Sequence, residues 1–159
     1  MAPGGVEPPH ADSKSAALST ELRGRFSQSS GVKTEAAARR WIEGWSHAWP
    51  AADADAVAEL YAHDAVFRSQ PFRDTQAPRA YAEWTFSEQD EAECWFGEPI
   101  VAGDRAIVEY WGVVRYQGRD ETIAGVALIR FRPDGLVAEQ HDYWNAQDGR
   151  LEPPEGWGR

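Results

Sequence analysis

Apolar residues recur at helical spacing in the first half of the chain. From residue 34 they follow an i, i+3, i+4, i+7 pattern, which predicts one helix with a single apolar face: Ala37, Ala38, Trp41, Ile42, Trp45, Ala48 and Trp49. Thr34 is a suitable N-cap, and Pro50 is expected to end the helix. Asp53 can cap a second, shorter helix, and a third is predicted over about residues 76–87.

The pattern then changes to strands. A short strand is predicted over residues 65–68, and four longer ones over 93–101, 105–116, 121–132 and 136–145, separated by short turns that contain glycine. Turns this short join antiparallel neighbours, which predicts a four-stranded meander. Three helices followed by a meander predict an α+β fold with the helices packed on one sheet face. Because long strands twist strongly, the sheet is expected to curl into a half-cone whose concave side faces the first helix.

The two ends of the chain differ from this domain. Residues 1–33 are rich in Gly, Pro and Ser and offer few large apolar side chains, so they are expected to form a disordered tail, with a short docking helix over residues 18–26 as the alternative. The predicted domain spans residues 34–146, and residues 147–159 form a C-terminal extension.

Composition excludes several kinds of function. A formal net charge of −10 argues against nucleic acid and against anionic membrane surfaces, because both require a basic face. We find no apolar run of transmembrane length and no signal-peptide core, and the single cysteine, Cys94, permits no internal disulfide. A cytoplasmic location is the default expectation. The eight tryptophans suit either an ordinary core or the walls of an apolar cavity.

The last predicted strand contains the best candidate for chemistry. Asp142 lies beside Tyr143 and Trp144, and a carboxylate in such surroundings is either well paired or has a raised pKa. Asp142 is therefore interpreted as a general base or as a structural carboxylate. If it faces the cavity, strand alternation places His141 on the opposite face. Tyr110 is the first candidate for a proton partner or oxyanion donor.

No metal site is predicted. The histidines at positions 10, 47, 63 and 141 are isolated, and none has the spacing of a ligand pair.

The order of elements and the final strand resemble a known superfamily. The segments Ala65-Val-Phe-Arg-Ser-Gln-Pro-Phe72 and Asp134-Gly-Leu-Val-Ala-Glu-Gln-His-Asp-Tyr-Trp-Asn145, with their helices, are similar to the nuclear-transport-factor-2-like superfamily and most of all to its SnoaL-like branch. The resemblance covers residues 34–146. It implies a cone-shaped fold, a homodimer and an apolar pocket, and in the enzymes cofactor-free acid–base chemistry. Its members include isomerases, cyclases, dehydratases and limonene epoxide hydrolase, as well as proteins without catalytic activity.

The resemblance assigns only part of an active site. Asp142 stands where limonene epoxide hydrolase has a catalytic aspartate, and His141 stands where it has arginine. Where the hydrolase requires a second carboxylate and an arginine, this chain has Gly112 and Tyr110. Its water-holding Tyr and Asn are replaced by Phe67 and Ser69. Epoxide hydrolysis by that mechanism is therefore not expected.

Two hypotheses remain open. In the first, the protein binds a small apolar or aromatic molecule and transfers a proton through Asp142. The expected ligand-binding residues are then Trp41, Trp45, Phe67, Tyr81, Trp84 and Trp144. In the second, the protein is a non-catalytic ligand-binding or dimerisation module whose pocket is filled by its own tryptophans, Trp111 among them.

Overall fold

The first helix is longer than the sequence pattern predicts. The computed structural model describes the backbone of residues 13–159 and the side chains of residues 31–159. Helix α1 spans Ser13–Ala51, with Pro50 in its last turn. Residues 13–33, expected to belong to a disordered tail, are therefore helical. Residues 13–30 contain no proline, and extending a helix that is already packed costs less than starting one. The part of that expectation on residues 1–12 lies outside the described residues.

Thr34 is inside this helix and does not cap it. Its side chain is buried, and its hydroxyl donates a hydrogen bond to the carbonyl oxygen of Gly103 at 2.8 Å. The residue thus ties α1 to a turn of the sheet.

Two short helices flank the first strand. Helix α2 spans Ala54–Ala58, and the Asp53 side chain caps it by accepting a hydrogen bond from the backbone N–H of Ala56 at 2.9 Å. Strand β1 spans Tyr61–Arg68, and helix α3 spans Pro78–Glu88 with proline at its first position. β1 begins earlier than predicted because it pairs in parallel with the last strand, with an irregular register between Tyr61 and Val66.

The sheet has six strands instead of the predicted four-stranded meander plus one short strand. After β1 come β2 (Glu91–Phe96), β3 (Ile100–Ala102), β4 (Arg105–Tyr116), β5 (Arg119–Phe131) and β6 (Val137–Asp148). The strand order is β1-β6-β5-β4-β2, and β3 pairs with β4. The predicted strand over 93–101 is divided in two at Pro99, which has no N–H to give to the ladder.

The apolar face of α1 packs against the concave side of the curved sheet. Its buried residues are Ala37, Ala38, Trp41, Trp45, Ala48 and Trp49. They join a core that includes Val57, Phe67, Val108, Ile129 and Val137. The expected α+β cone is therefore confirmed, with three helices and an open curved sheet.

The C-terminal segment crosses the outer side of the sheet. The ring of Trp157 lies 6.2 Å from that of Trp111, whose indole N–H donates to the carbonyl oxygen of Leu151 at 2.8 Å. The backbone N–H of Glu98 donates to the carbonyl oxygen of Gly158 at 2.8 Å. Trp111 therefore lies outside the cone and does not fill it.

Within the described part of the chain, no helix is long and apolar enough to cross a bilayer.

Candidate functional site

Strand β6 directs Asp142 into the cone. Gln140 and Asp142 are buried, whereas Tyr143 between Asp142 and Trp144 is 48% exposed. His141 also belongs to the outer set, where its Nε2 lies 2.9 Å from Oε1 of Glu139. The alternation expected for this strand is therefore present.

Gln140 links Asp142 to helix α1 through buried hydrogen bonds. Its Nε2 donates to Oδ1 of Asp142 at 2.8 Å, and its Oε1 accepts from the Tyr61 hydroxyl at 2.5 Å and from the Trp41 indole at 3.0 Å. The Tyr61 oxygen in turn accepts from Nε1 of Trp45 at 3.1 Å. Because an indole N–H can only donate, the amide oxygen must face the indole and the amide nitrogen must face Asp142. The network thus fixes both the carboxyl group and the orientation of the amide.

Burial keeps Asp142 neutral over most of the physiological range. Loss of hydration is the dominant cause and raises the pKa of this carboxyl to about 8, although the hydrogen bond from Gln140 acts in the opposite direction. A carboxylic acid with such a pKa is able to gain or lose a proton near neutral pH.

Three tyrosines lie close enough to Asp142 to be affected by its charge. Burial, and then Asp142, raise the pKa of Tyr81 to about 12 and that of Tyr110 well above its ordinary value, so both phenols keep their protons. The Tyr61 hydroxyl is occupied by Gln140. Among residues 31–159, no side chain or backbone group forms a hydrogen bond with the Tyr110 hydroxyl. Tyr110 therefore has a free donor at the cavity wall.

Small residues of β5 separate Asp142 from Tyr110. Ala127 pairs with Asp142 on one side and with Val108 on the other, and Gly125 stands between Trp144 and Tyr110. A Cβ on Gly125 would lie 2.5 Å from Cβ of Trp144. It would also collide with the backbone carbonyl oxygen of Tyr143. Only glycine lets β6 approach β5 so closely here.

A cavity of about 830 Å³ opens over this part of the sheet. Its aromatic lining consists of Trp41, Trp45, Trp49, Tyr81, Trp84, Phe86, Phe96, Tyr110, Tyr116 and Trp144. Its polar lining includes Arg73, Glu88, Asp90, Glu121, Gln140 and Asp142. The exposed carboxylates of Glu88 and Asp90 place negative charge toward solvent, whereas Asp142 lies at the buried end.

The structure brings most of the predicted site residues to this cavity. Besides Asp142 and Tyr110, they are Trp41, Trp45, Tyr81, Trp84 and Trp144. Phe67 is an exception, since it is 1% exposed and lies behind the wall, with its ring 4.7 Å from that of Tyr81. The prediction that Phe67 lines the cavity is therefore wrong, because Tyr81 from α3 covers it.

Some residues of the cavity were not foreseen as site residues. Gln140 could have been found, since it shares the inward face of β6 with Asp142. Arg73 could not, because it belongs to the irregular segment between β1 and α3, which has no periodic pattern. Its Cζ lies 5.4 Å from the ring centre of Trp84 and 5.7 Å from that of Trp144.

The lack of space at Gly112 explains why this chain has no counterpart of the second carboxylate of limonene epoxide hydrolase. A Cβ at this position would lie 2.7 Å from Cη2 of Trp49. The indole of α1 thus occupies the volume that an acidic side chain would require.

Among the described residues, no group of three or more His, Cys, Asp or Glu side chains is arranged to hold a metal ion.

Fold and site together define a protein of the SnoaL-like, nuclear-transport-factor-2-like class. The sequence profile of the SnoaL-like domain matches residues 38–140, and the chain belongs to this family. The resemblance noted in the sequence is therefore confirmed. No curated protein sequence matches the chain.

Solved structures with the same fold include several enzymes. SalBIII, an epoxide hydrolase/cyclase-like enzyme in pyran ring formation in the polyether salinomycin, is 15% identical, with a TM-score of 0.60 over 71% of this chain and 91% of its own. An LEH-like epoxide hydrolase from M. tuberculosis is 15% identical, with a TM-score of 0.56 over 72% and 84%. The pinacolase BvnE from Penicillium brevicompactum is 12% identical, with a TM-score of 0.61 over 71% and 86%. At these identities the likeness concerns the fold alone.

Proposed function

We propose that this SnoaL-like protein binds a small apolar or aromatic molecule in its cavity and transfers a proton on it with Asp142, without a cofactor. The observation that carries the proposal is a buried carboxyl, with its pKa near 8, at the closed end of an aromatic cavity of about 830 Å³. Ligand sites typically enclose about 300–1,000 Å³, so the volume favours a ligand over a pocket filled by tryptophans.

As a base, Asp142 takes a proton from carbon or oxygen of the ligand. A new O–H bond forms on the carboxylate, and the electron pair left behind moves toward an electronegative atom of the ligand. The Tyr110 hydroxyl is the donor that stabilises this developing charge. Return of the proton to a different atom completes an isomerisation, while loss of a leaving group or ring closure completes a dehydration or cyclisation.

Gln140 sets the geometry of this step. Its N–H donates to one carboxyl oxygen and leaves the other for the ligand. Because Gln140 is itself held by Tyr61 and Trp41, the carboxyl is oriented before the ligand arrives.

The neutral state of Asp142 at pH 7 favours a second candidate, general acid catalysis. The protonated carboxyl would then donate to an oxygen of the ligand, which leaves or opens a ring as its C–O bond breaks. Enzymes with the same fold include an epoxide hydrolase/cyclase-like protein and a pinacolase. The two candidates predict opposite pH dependences of turnover. Turnover by a base rises as the pH passes about 8, whereas turnover by an acid falls.

The experiment begins with the ligand. Native mass spectrometry of the purified protein would identify a small molecule that co-purifies, and proton NMR in D2O would then follow its exchange or conversion. Asp142→Asn should lower the rate about 10²–10⁴-fold and Tyr110→Phe should lower it less, with both folds intact. The exposed Asp134→Asn serves as the matched control. Conversion by Asp142→Asn at the rate of the unaltered protein would remove Asp142 from the reaction.

A further inference from the structure

Arg73 lies against two indole rings at the cavity wall. Its guanidinium carbon lies 5.4 Å from the centre of Trp84 on α3 and 5.7 Å from the centre of Trp144 on β6. Its Nη1 also donates to the Ser69 hydroxyl at 3.3 Å. Ser69 is fully buried, and its carbonyl oxygen accepts from the Trp144 indole at 2.6 Å. Two indole rings and one hydrogen bond thus hold the guanidinium in place.

Apart from the bond to Ser69, the guanidinium N–H groups of Arg73 have no hydrogen-bond partner among residues 31–159. Among residues 31–159, no carboxylate pairs with it, whereas Arg115 and Arg150 each bind two carboxylates on the outside of the sheet. A guanidinium carries five donors in a planar fork that matches a carboxylate, and the single bond to Ser69 leaves the other donors of that fork available. It is the one cation among the described residues that line the cavity.

The four acidic side chains of the cavity repel an anionic ligand only weakly. Glu88 and Asp90 are exposed and Glu121 is half-buried, so water and salt screen their charges. Asp142 is predominantly neutral at pH 7 and exerts little repulsion. A direct fork contact in a partly dry cavity is stronger than such screened repulsion.

One small ligand can reach both groups. Asp142 and Trp144 are two residues apart on the inward face of β6, which is about 6–7 Å along a strand. The guanidinium of Arg73 lies near the ring of Trp144, and both Arg73 and Asp142 line the same cavity. A small molecule whose acidic group binds Arg73 therefore has its other end within reach of Asp142.

We propose that Arg73 is the residue that determines specificity, and that the ligands of this cavity are small carboxylic acids with an apolar or aromatic body. The carboxylate binds the free edge of the guanidinium, and the body lies among the indoles with its reactive end toward Asp142. This inference rests on the proposed ligand-binding function of the same cavity and adds the charge of the ligand.

A series of probes of matched shape tests it. Phenylacetate, phenylacetamide and phenethylammonium share a body and differ in charge. Their binding to the purified protein can be followed at pH 7 by tryptophan fluorescence, since none absorbs where indole is excited selectively. Arg73→Gln removes the charge, and Arg73→Lys keeps the charge but loses the fork. Arg119→Gln, an exposed arginine outside the cavity, is the control, and thermal melting verifies the fold of each variant.

The unaltered protein and Arg119→Gln should bind phenylacetate about tenfold or more tightly than phenylacetamide. Arg73→Gln should abolish this preference, and Arg73→Lys should keep only part of it. Equal affinities, tighter binding of phenethylammonium, or a preference that persists in Arg73→Gln would overturn the inference while leaving the ligand cavity in place. Failure of all three probes to bind at millimolar concentration would overturn the proposed function together with it.

Discussion

Replacing Asp142 by asparagine should stabilise the protein, although the residue is the proposed catalytic group. The amide has nearly the shape of the neutral carboxylic acid, and its oxygen is able to accept the hydrogen bond from Gln140 at the same place. Unlike the carboxyl, it has no proton to lose. The substitution therefore removes the free-energy cost of burying an ionisable group while it preserves the packing.

The size of the effect follows from the pKa in the two states. In the native state the Asp142 carboxyl ionises near pH 8, whereas after unfolding it ionises near its ordinary value of 3.8. The native state thus binds the proton more tightly, and the stability provided by this group is complete below pH 3.8 and is lost as the pH rises to about 8. With 1.36 kcal/mol per pKa unit, the loss relative to asparagine is about 2 kcal/mol at pH 5, about 4 kcal/mol at pH 7 and about 6 kcal/mol well above pH 8.

Urea denaturation followed by tryptophan fluorescence measures this difference. Asp142→Asn should gain stability progressively between pH 5 and pH 8, and near pH 7 its melting temperature should rise by roughly 10 °C. Asp120→Asn is the matched control, because Arg115 lowers the pKa of Asp120 and the effect of that substitution should be constant over the same range. A gain of Asp142→Asn that does not change with pH, or a loss at pH 8, would refute the reasoning.

Three further predictions concern the support of the site. Tyr61→Phe removes the hydroxyl between the indoles and Gln140, and leaving buried polar groups unpaired should cost about 1–3 kcal/mol in urea denaturation; an unchanged midpoint would contradict the network. Gly125→Ala should cost more than about 2 kcal/mol because its Cβ meets the backbone of β6, whereas Gly31→Ala, with nothing within 4 Å, should gain about 0.5–1 kcal/mol; equal effects would contradict the close approach. Burial raises the pKa of Cys94 to about 12, so its reaction with a disulfide reagent should be at least about tenfold slower in the native than in the unfolded protein, and equal rates would show that the thiol is accessible.

Local patterns were sufficient to predict the order of helices and long strands and the direction of Asp142. The tryptophans of α1 face the sheet because their spacing matches the helical repeat, and Asp142 faces inward because residues alternate along a strand. These two features depend on the period of the backbone and not on distant contacts. The break at Pro99, by contrast, was missed, although a residue without an N–H interrupts a ladder and the proline is visible in the sequence.

Tertiary packing decides what the patterns left open. Phe67 and Tyr81 both point toward the inside of the cone, and only the position of α3 determines that one ring covers the other. Arg73 in the irregular segment contacts Trp84 on the next helix and Trp144 on the last strand, and no local pattern specifies these contacts. The continuous helix upstream of residue 34 was not predicted. Composition describes the average character of a segment and does not take account of the packed helix that the segment extends.

The central claim is that Asp142 is a proton-exchanging carboxyl facing a ligand cavity. Its most direct test is a pH titration of the protein labelled with 13C at the aspartate side-chain carboxyls, with Asp142→Asn used to assign the signal. The structure predicts one carboxyl that titrates near pH 8 and whose shift changes when phenylacetamide is added. A signal for Asp142 that titrates near pH 4, or that does not respond to any ligand of the cavity, would contradict the account.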